Sequence, residues 1–187
     1  MLDLVKQILE FYFKNNKAPT ISDLQIKDDS LLTKQWWVFV TFYKWWIVRG
    51  SAWNIRWLEV SIINELIIST ISALTKDSRF PEITLSESSK LQIRVDEISS
   101  MDVLDTSTRE WKQENSEIKK LDPVKNGVAV IDRNYDDIAV ILPNISAKLL
   151  SWEDFVWVLE NKLKSKAKFQ EKNYIVYSIE TKVETNF

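Results

Sequence analysis

Between residues 60 and 74, Val60, Ile63, Ile67, Ile71 and Leu74 recur at spacings of three and four, with Ser61, Glu65, Ser72 and Lys76 on the other side. Such a stripe lies along one face of an α-helix and has to be covered by apolar side chains from elsewhere in the chain. The spacing predicts a long helix from about Trp57 to Thr75, ended by Asp77, Ser78 and Pro81. The chain can supply the cover: 45% of its 187 residues are apolar and 28% are charged, the balance of a globular domain rather than of a disordered segment.

The covering elements are legible in turn. Leu2, Val5, Leu9 and Tyr12 fall at helical spacing against Lys6, Glu10 and Lys14, so residues 2–14 read as a helix stopped by Asn15, Asn16 and Pro19. Val38 to Phe42 and Ile47 to Val48 are β-branched and aromatic, which suits a buried hairpin turning near Tyr43 to Trp46. Leu91, Ile93 and Val95 alternate with Gln92, Arg94 and Asp96, the pattern of a strand with one exposed face. Residues 105–122 are polar and read as either a surface excursion or a short amphipathic helix. Gly127 to Ile131 and Ile138 to Leu142 make a second hairpin, closed by Pro143. Ser151 and Asp154 form a capping box that opens a helix bearing Phe155, Leu159 and Leu163, and a last strand runs from Tyr174 to Ile179. Strands and helices do not alternate strictly, so the fold class is α+β, a mixed or antiparallel sheet flanked by helices.

The absent residue types narrow the chemistry. With no cysteine and no histidine, the chain has no disulfide, no thiolate nucleophile or thiolate metal ligand, and no imidazole base. Asp77, Asp96, Glu97, Asp102 and Asp105 make no known oxygen-ligand loop, so no metal site is read from them. The formal charge is −2, and the densest basic stretch, Lys162 to Lys172, is broken by Ser165, Ala167, Phe169 and Glu171. Nucleic-acid binding through clustered phosphate contacts is therefore not expected. Met1 to Glu10 lacks a small-residue cleavage site, and the apolar run from Trp36 to Val48 contains Lys44 and falls short of the roughly 20 residues that span a bilayer. A soluble cytoplasmic protein with no membrane partner is expected.

Four stretches resemble the AMMECR family, found in archaea, bacteria and eukaryotes. Phe39-Val40-Thr41-Phe42 followed by Val48-Arg49-Gly50 is similar to the family's F-V-T-L and L-R-G-C-I-G, and Lys76 to Pro81 is similar to its D-x-R-F-P. Val124 to Val130 stands where the family writes V-x-x-H-G and an apolar strand. Leu142-Pro143-Asn144-Ile145 resembles L-P-x-V, with Trp152 and Lys166-Ala167 echoing the closing helix. The resemblance runs from about residue 2 to 180 and makes this a divergent archaeal- or bacterial-type member. It implies one domain of two lobes, the larger from both termini with the first hairpin and the long and closing helices, the smaller from the middle. A cleft is implied near the Arg-Gly segment. The family's Cys aligns with Ser51, its second Gly with Trp53 and its His with Asn126, so both reactive side chains are replaced. A non-catalytic role follows, binding a protein partner or a small anionic ligand in the cleft at Arg49, Gly50, Ser51, Arg79 and Asn126. The alternative is an enzyme of a modification pathway whose chemistry is borne by its ligand or by a cofactor, of a kind the residues do not identify.

Each of these residues also has a plain structural reading. Ser51 as a nucleophile needs a base and an orienting group, and without histidine only a lysine or carboxylate is left; the other reading is a turn serine. Asn126 can hydrogen-bond but supplies no proton near neutrality. Arg49 and Arg79 offer planar forks suited to carboxylate or phosphate, or each pairs with a carboxylate, Asp77 being the obvious one, to brace the turn after the long helix. Gly50 and Gly127 are the only glycines, each at a position a side chain would disturb or in a turn or bulge.

Six of the nine tryptophans, Trp36, Trp37, Trp45, Trp46, Trp53 and Trp57, crowd around the Arg-Gly segment. They read as core, as a partner or self-association surface, or as a stacking platform for a ligand. A hairpin tip lies at the surface and favours Gly, Asn or Asp, so at least one of Trp45 and Trp46 is expected to be exposed or covered by another chain.

Overall fold

The computed structural model describes residues 1–54, 59–104, 120–132, 137–146, 148–164 and 173–187. Its contacts divide the chain into two units, Met1–Glu97 with Lys182–Phe187, and Ile98–Thr181. Among the described residues the strands are β1 Val38–Lys44, β2 Ile47–Ala52, β3 Gln92–Leu104, β4 Gly127–Asp132, β5 Ile138–Ile141 and β6 Tyr174–Thr185, in the sheet order β2-β1-β3-β6-β4-β5. The α-helices among the same residues are α1 Leu2–Asn15, α2 Ile62–Thr75, the single turn α3 Leu85–Ser88, and α4 Trp152–Lys162. Among the described residues no helix is long and apolar enough to cross a membrane.

In the first unit, α1 buries Leu4, Val5, Ile8 and Leu9. It stops where Asn16 turns left-handed at φ 51° and donates its N–H to the Tyr12 carbonyl at 2.7 Å, the usual way of closing a last turn. The long helix begins later than its stripe. Ser61 accepts the Asn64 amide as N-cap, leaving Val60 outside the helix and exposed. Ile63, Ile67 and Leu74 are buried, and Ile71 is half-buried against the same core. The start of the face expected to be polar is buried too, at Ser61 and Glu65, while Ser72 is half-buried and Lys76 exposed. Glu65 is 1% exposed and accepts from Asn54 Nδ2 at 2.8 Å and from the Glu59 amide at 3.3 Å, so hydrogen bonds allow the carboxyl inside. Residues 55–58, where the helix was expected to start and where Trp57 falls, lie outside the described residues.

The β1–β2–β3 ladder is antiparallel, and opposed residues share a face. Val38, Val40, Phe42, Ile93 and Val95 join α1 and α2 in one apolar core. The other face carries Phe39, Thr41 and Tyr43 from β1 opposite Asp96, Arg94 and Gln92 from β3. The alternation of β3 was expected to leave this face in water, yet Arg94 is 6% exposed and Asp96 is fully buried. Two residues apart on one strand, they point the same way, and Arg94 grips Asp96 through two bonds of 2.7 Å. This bidentate pairing offsets much of the desolvation cost of burying both charges.

Gly50 sets the fit of β2 on α2. A Cβ there would stand 2.2 Å from the Ala73 carbonyl oxygen, so only glycine lets strand and helix approach this closely.

In the second unit β4 pairs with β5 and β6. Val128, Val130, Ile141 and Val176 pack with Phe155, Leu159 and Leu163 from α4 and the residue that ends it. The closing helix, expected beside the first hairpin, therefore belongs with the second. Its capping box forms as read, Asp154 accepting the Ser151 amide at 2.9 Å. Gly127 mirrors Gly50, a Cβ there falling 2.4 Å from the Ile141 carbonyl oxygen. The last strand runs on to Thr185, past its expected end at Ile179, because backbone pairing continues where apolar alternation stops: Asn186 extends it with an N–H to the Ile93 carbonyl. Residues 105–119 and 133–136 lie outside the described residues.

Gly50→Ala should destabilise the fold by about 3 kcal/mol, the cost of overpacking against a backbone atom that cannot give way, measured by urea unfolding. A loss below about 0.5 kcal/mol, the range of ordinary surface changes, would mean that β2 can lift off α2 freely.

Candidate functional site

The Arg-Gly-Ser segment lies on β2, at one edge of the sheet order, beside the turn that follows α2. Ser51 points its backbone N–H outward to Asp77 Oδ2 at 2.9 Å. Arg79 closes the loop of contacts: Nε donates to Asp77 Oδ1 at 2.9 Å, and Nη2 donates both to Asp77 Oδ2 at 2.6 Å and to Ser51 Oγ at 2.7 Å. Asp77 thus blocks the open edge of β2, as native sheets commonly require. Burial, the largest single influence on the Asp77 carboxyl, pushes its pKa up, but hydrogen bonds from Arg79 and from the Ser51 and Arg79 amides outweigh it and hold the group below its ordinary range. Arg79 is held above its ordinary value, chiefly by its hydrogen bond to Asp77. The Asp77 side chain is 7% exposed and that of Arg79 54%, so the carboxylate is the foundation and the guanidinium the surface.

Arg49 goes elsewhere. The β1–β2 register shifts between Phe42 and Tyr43, which pair with Gly50 and Val48, so Arg49 is the extra residue of a β-bulge. It donates to Glu87 Oε1 and Oε2 at 3.2 and 3.0 Å and to the Pro81 and Glu82 carbonyls at 2.8 and 3.2 Å. Four of the five guanidinium donors are thereby engaged. Glu87 also takes Lys44 Nζ at 2.9 Å and the Thr84 amide at 3.2 Å. Hydrogen bonds from Arg49, then Lys44, then Thr84 bring the Glu87 carboxyl down to about 2.

Of the residues singled out in the sequence, Gly50, Ser51 and Arg79 come together, and Arg49 leaves them for Glu87. Asn126 lies in the other unit, where its Oδ1 accepts the Asp122 amide at 3.2 Å and its own amide donates to the Asp122 carbonyl at 2.7 Å. Ser51 Oγ receives a hydrogen bond from a guanidinium, which cannot take a proton; that is not the base a serine nucleophile needs. Thr41 stands opposite both Ser51 and Arg94, so one row on the non-helical face of the sheet reads Ser51, Thr41, Arg94. Thr41, Glu87, Arg94 and Asp96 were not recognised as neighbours of the segment. The Thr84-x-x-Glu87 capping signature was legible, but not the arginine that shares its acid.

The tryptophans divide. Trp53 stacks on Phe39 with centroids 4.5 Å apart and rings 16° from parallel, and Trp36 packs on the first core. Trp45 and Trp46 form the two-residue turn between Lys44 and Ile47. Both have positive φ, 55° and 66°, as in a type I′ hairpin turn. They are 76% and 69% exposed, Ile47 beside them is 71% exposed, and Trp46 meets Phe187 edge-on at 5.0 Å. Among the described residues no cluster of acidic side chains could hold a metal ion.

The sequence profile of the AMMECR1 family matches residues 2–183. Among solved structures, uncharacterised protein PH0010 of Pyrococcus horikoshii has a similar fold, with a TM-score of 0.76 over 96% of this chain and 86% of that one, at 20% identity. Likeness at that identity is one of fold. No curated protein matches the chain.

The Glu87 contacts set an acid limit on stability. The folded carboxyl sits at about 2 against an ordinary 4.5, so its contribution is complete above the ordinary value and is lost as pH falls toward the folded one. Glu87→Gln should flatten the decline of urea midpoint between pH 4.5 and about 2; parallel declines in the two proteins would show that other carboxyls govern acid unfolding.

Proposed function

We propose for this chain, which belongs to the AMMECR1 family, the role of a non-catalytic binding protein that docks on a protein partner, or on a second copy of itself, through Trp45, Trp46 and Ile47. The observation that carries this is the conformation and exposure of the two indoles. Left-handed φ is unfavourable for bulky residues and suits Gly or Asn at a two-residue hairpin turn. Folding gains little from side chains this exposed. Residues that disfavour their own turn and leave three adjacent apolar side chains in water are accounted for by a contact outside the chain. Aromatic anchors in such contacts are worth about 2 kcal/mol or more each.

A second reading concerns a small anion at Arg79, and one observation favours it. Nε and Nη2 are used by Asp77 and Ser51 and the guanidinium lies over the Phe80 ring at 5.2 Å, while Nη1 has no hydrogen-bond acceptor among the described residues on a side chain 54% exposed. A carboxylate or phosphate accepting from Nη1 would meet a guanidinium already oriented by a buried acid. Arg49, with its donors engaged by Glu87, Pro81 and Glu82, braces the turn beneath. That Ser51 Oγ meets the Arg79 guanidinium, and no base among the described residues, supports the non-catalytic reading over that of an enzyme.

Replacing the turn by the residues it prefers separates folding from binding. Trp45→Asn with Trp46→Gly should leave the thermal midpoint unchanged or raised, and should abolish both self-association by light scattering and capture of any partner that the wild type retains. Wild-type behaviour in both assays would remove the tip from the function. For the anion reading, phosphate and small carboxylates should raise the thermal midpoint of the wild type and not of Arg79→Ala; equal shifts in the two would refute it.

A further inference from the structure

Away from the hairpin tip and the Arg79 turn, a groove of about 550 Å³ lies between α1 and the segment from Leu85 to Ile93. Its floor is Leu9, Leu91 and Ile93, all buried, and its walls are Phe13 and Leu85. Leu85 is 64% exposed, at the first position of a helical turn whose polar residues already complete a capping box. Thus an apolar residue lines a groove with a ready-made apolar floor. One rim is formed by Lys6, Glu10 and Lys14, one helical turn apart on α1, and extends about 12 Å at 1.5 Å per residue. The ion pairs of the described residues engage Lys27, Lys34, Lys44 and Lys125, leaving Lys6 and Lys14 outside them. The rim therefore carries two ammonium groups against one carboxylate.

We infer that this groove binds an amphiphilic organic anion, its apolar chain lying over Leu9, Leu91 and Ile93 between Phe13 and Leu85, and its head group meeting Lys6 or Lys14. The volume falls in the range of small-molecule sites, which combine an apolar lining with few polar groups. The charge of the rim selects the head: two cations flanking one acid favour a single negative charge and disfavour a cation. A groove of about two helical turns suits a medium acyl chain, and both carboxylate and phosphate heads fit the lysines. The inference is independent of the aromatic tip, since Trp45 and Trp46 do not line the groove.

The probes are dodecanoate, dodecyl phosphate and dodecanol, titrated by calorimetry below micelle-forming concentrations. Dodecanoate or dodecyl phosphate should bind saturably at one per chain, the tighter of the two naming the head group. Leu85→Asp should weaken that binding about tenfold, the order of one lost apolar side chain, and its exposure makes it tolerable to the fold. The Lys6→Ala, Lys14→Ala variant should weaken binding of the anion severalfold and leave dodecanol unchanged. This second variant decides the matter alone if Leu85→Asp is unfolded by circular dichroism. No saturable binding of either anion, binding untouched in both variants, or dodecanol bound as tightly as the anions would each overturn the assignment.

Discussion

The first unit is organised around a missing side chain. Because Gly50 has no Cβ, the backbone of β2 can lie against the Ala73 carbonyl near the end of α2. That contact brings the turn after the helix beside the strand edge. Asp77 can then take the Ser51 amide, and Arg79 can hold both Asp77 and Ser51. The bulge one residue before Gly50 sends Arg49 to the acid of the α3 capping box. A larger residue at position 50 would separate the two elements on which these polar contacts depend, so steric fit comes before electrostatics here.

Charge is used on the sheet as bracing rather than as display. Arg94 and Asp96 are buried together and satisfy each other. Glu65 is buried at the first turn of α2 and receives Asn54 and Glu59, a place where the helix dipole also favours a negative group. Lys34 pairs with Glu97 at the far end of the same ladder. Removing one member of such a pair strands the other in a poorly solvated place, which costs more than the pair itself contributes. The same logic accounts for the division of roles at Asp77 and Arg79, where the acid is enclosed and the base reaches solvent.

The aromatic residues show two uses of one residue type in a short stretch. Trp36 and Trp53 are packed, and they do what large rings do in any small core. Trp45 and Trp46 occupy a turn whose geometry disfavours them and remain in water apart from the edge contact with Phe187. Composition shows only that tryptophans cluster; the hairpin register separates packed from displayed.

What the sequence determined by itself is whatever local periodicity and capping chemistry can specify. The stripe of α2, the boundaries of α1, the Ser151–Asp154 cap and the hairpin from Val38 to Val48 all come from residues close in the chain, whose spacing reflects one face of one element. The family motifs around Arg49, Asp77 and Leu142 added membership. Tertiary structure decided the rest. It buried the polar side of β3, because alternation shows that two faces differ and not that one of them meets water. It gave Arg49 to Glu87 rather than Asp77, because the bulge redirects a side chain by an amount no spacing encodes. It set α4 with the second hairpin, since an apolar face does not name its partner. The exposure of Trp45 and Trp46 was legible from turn chemistry, but their left-handed backbone came from the ladder on either side, which fixes the turn geometry whatever residues occupy it.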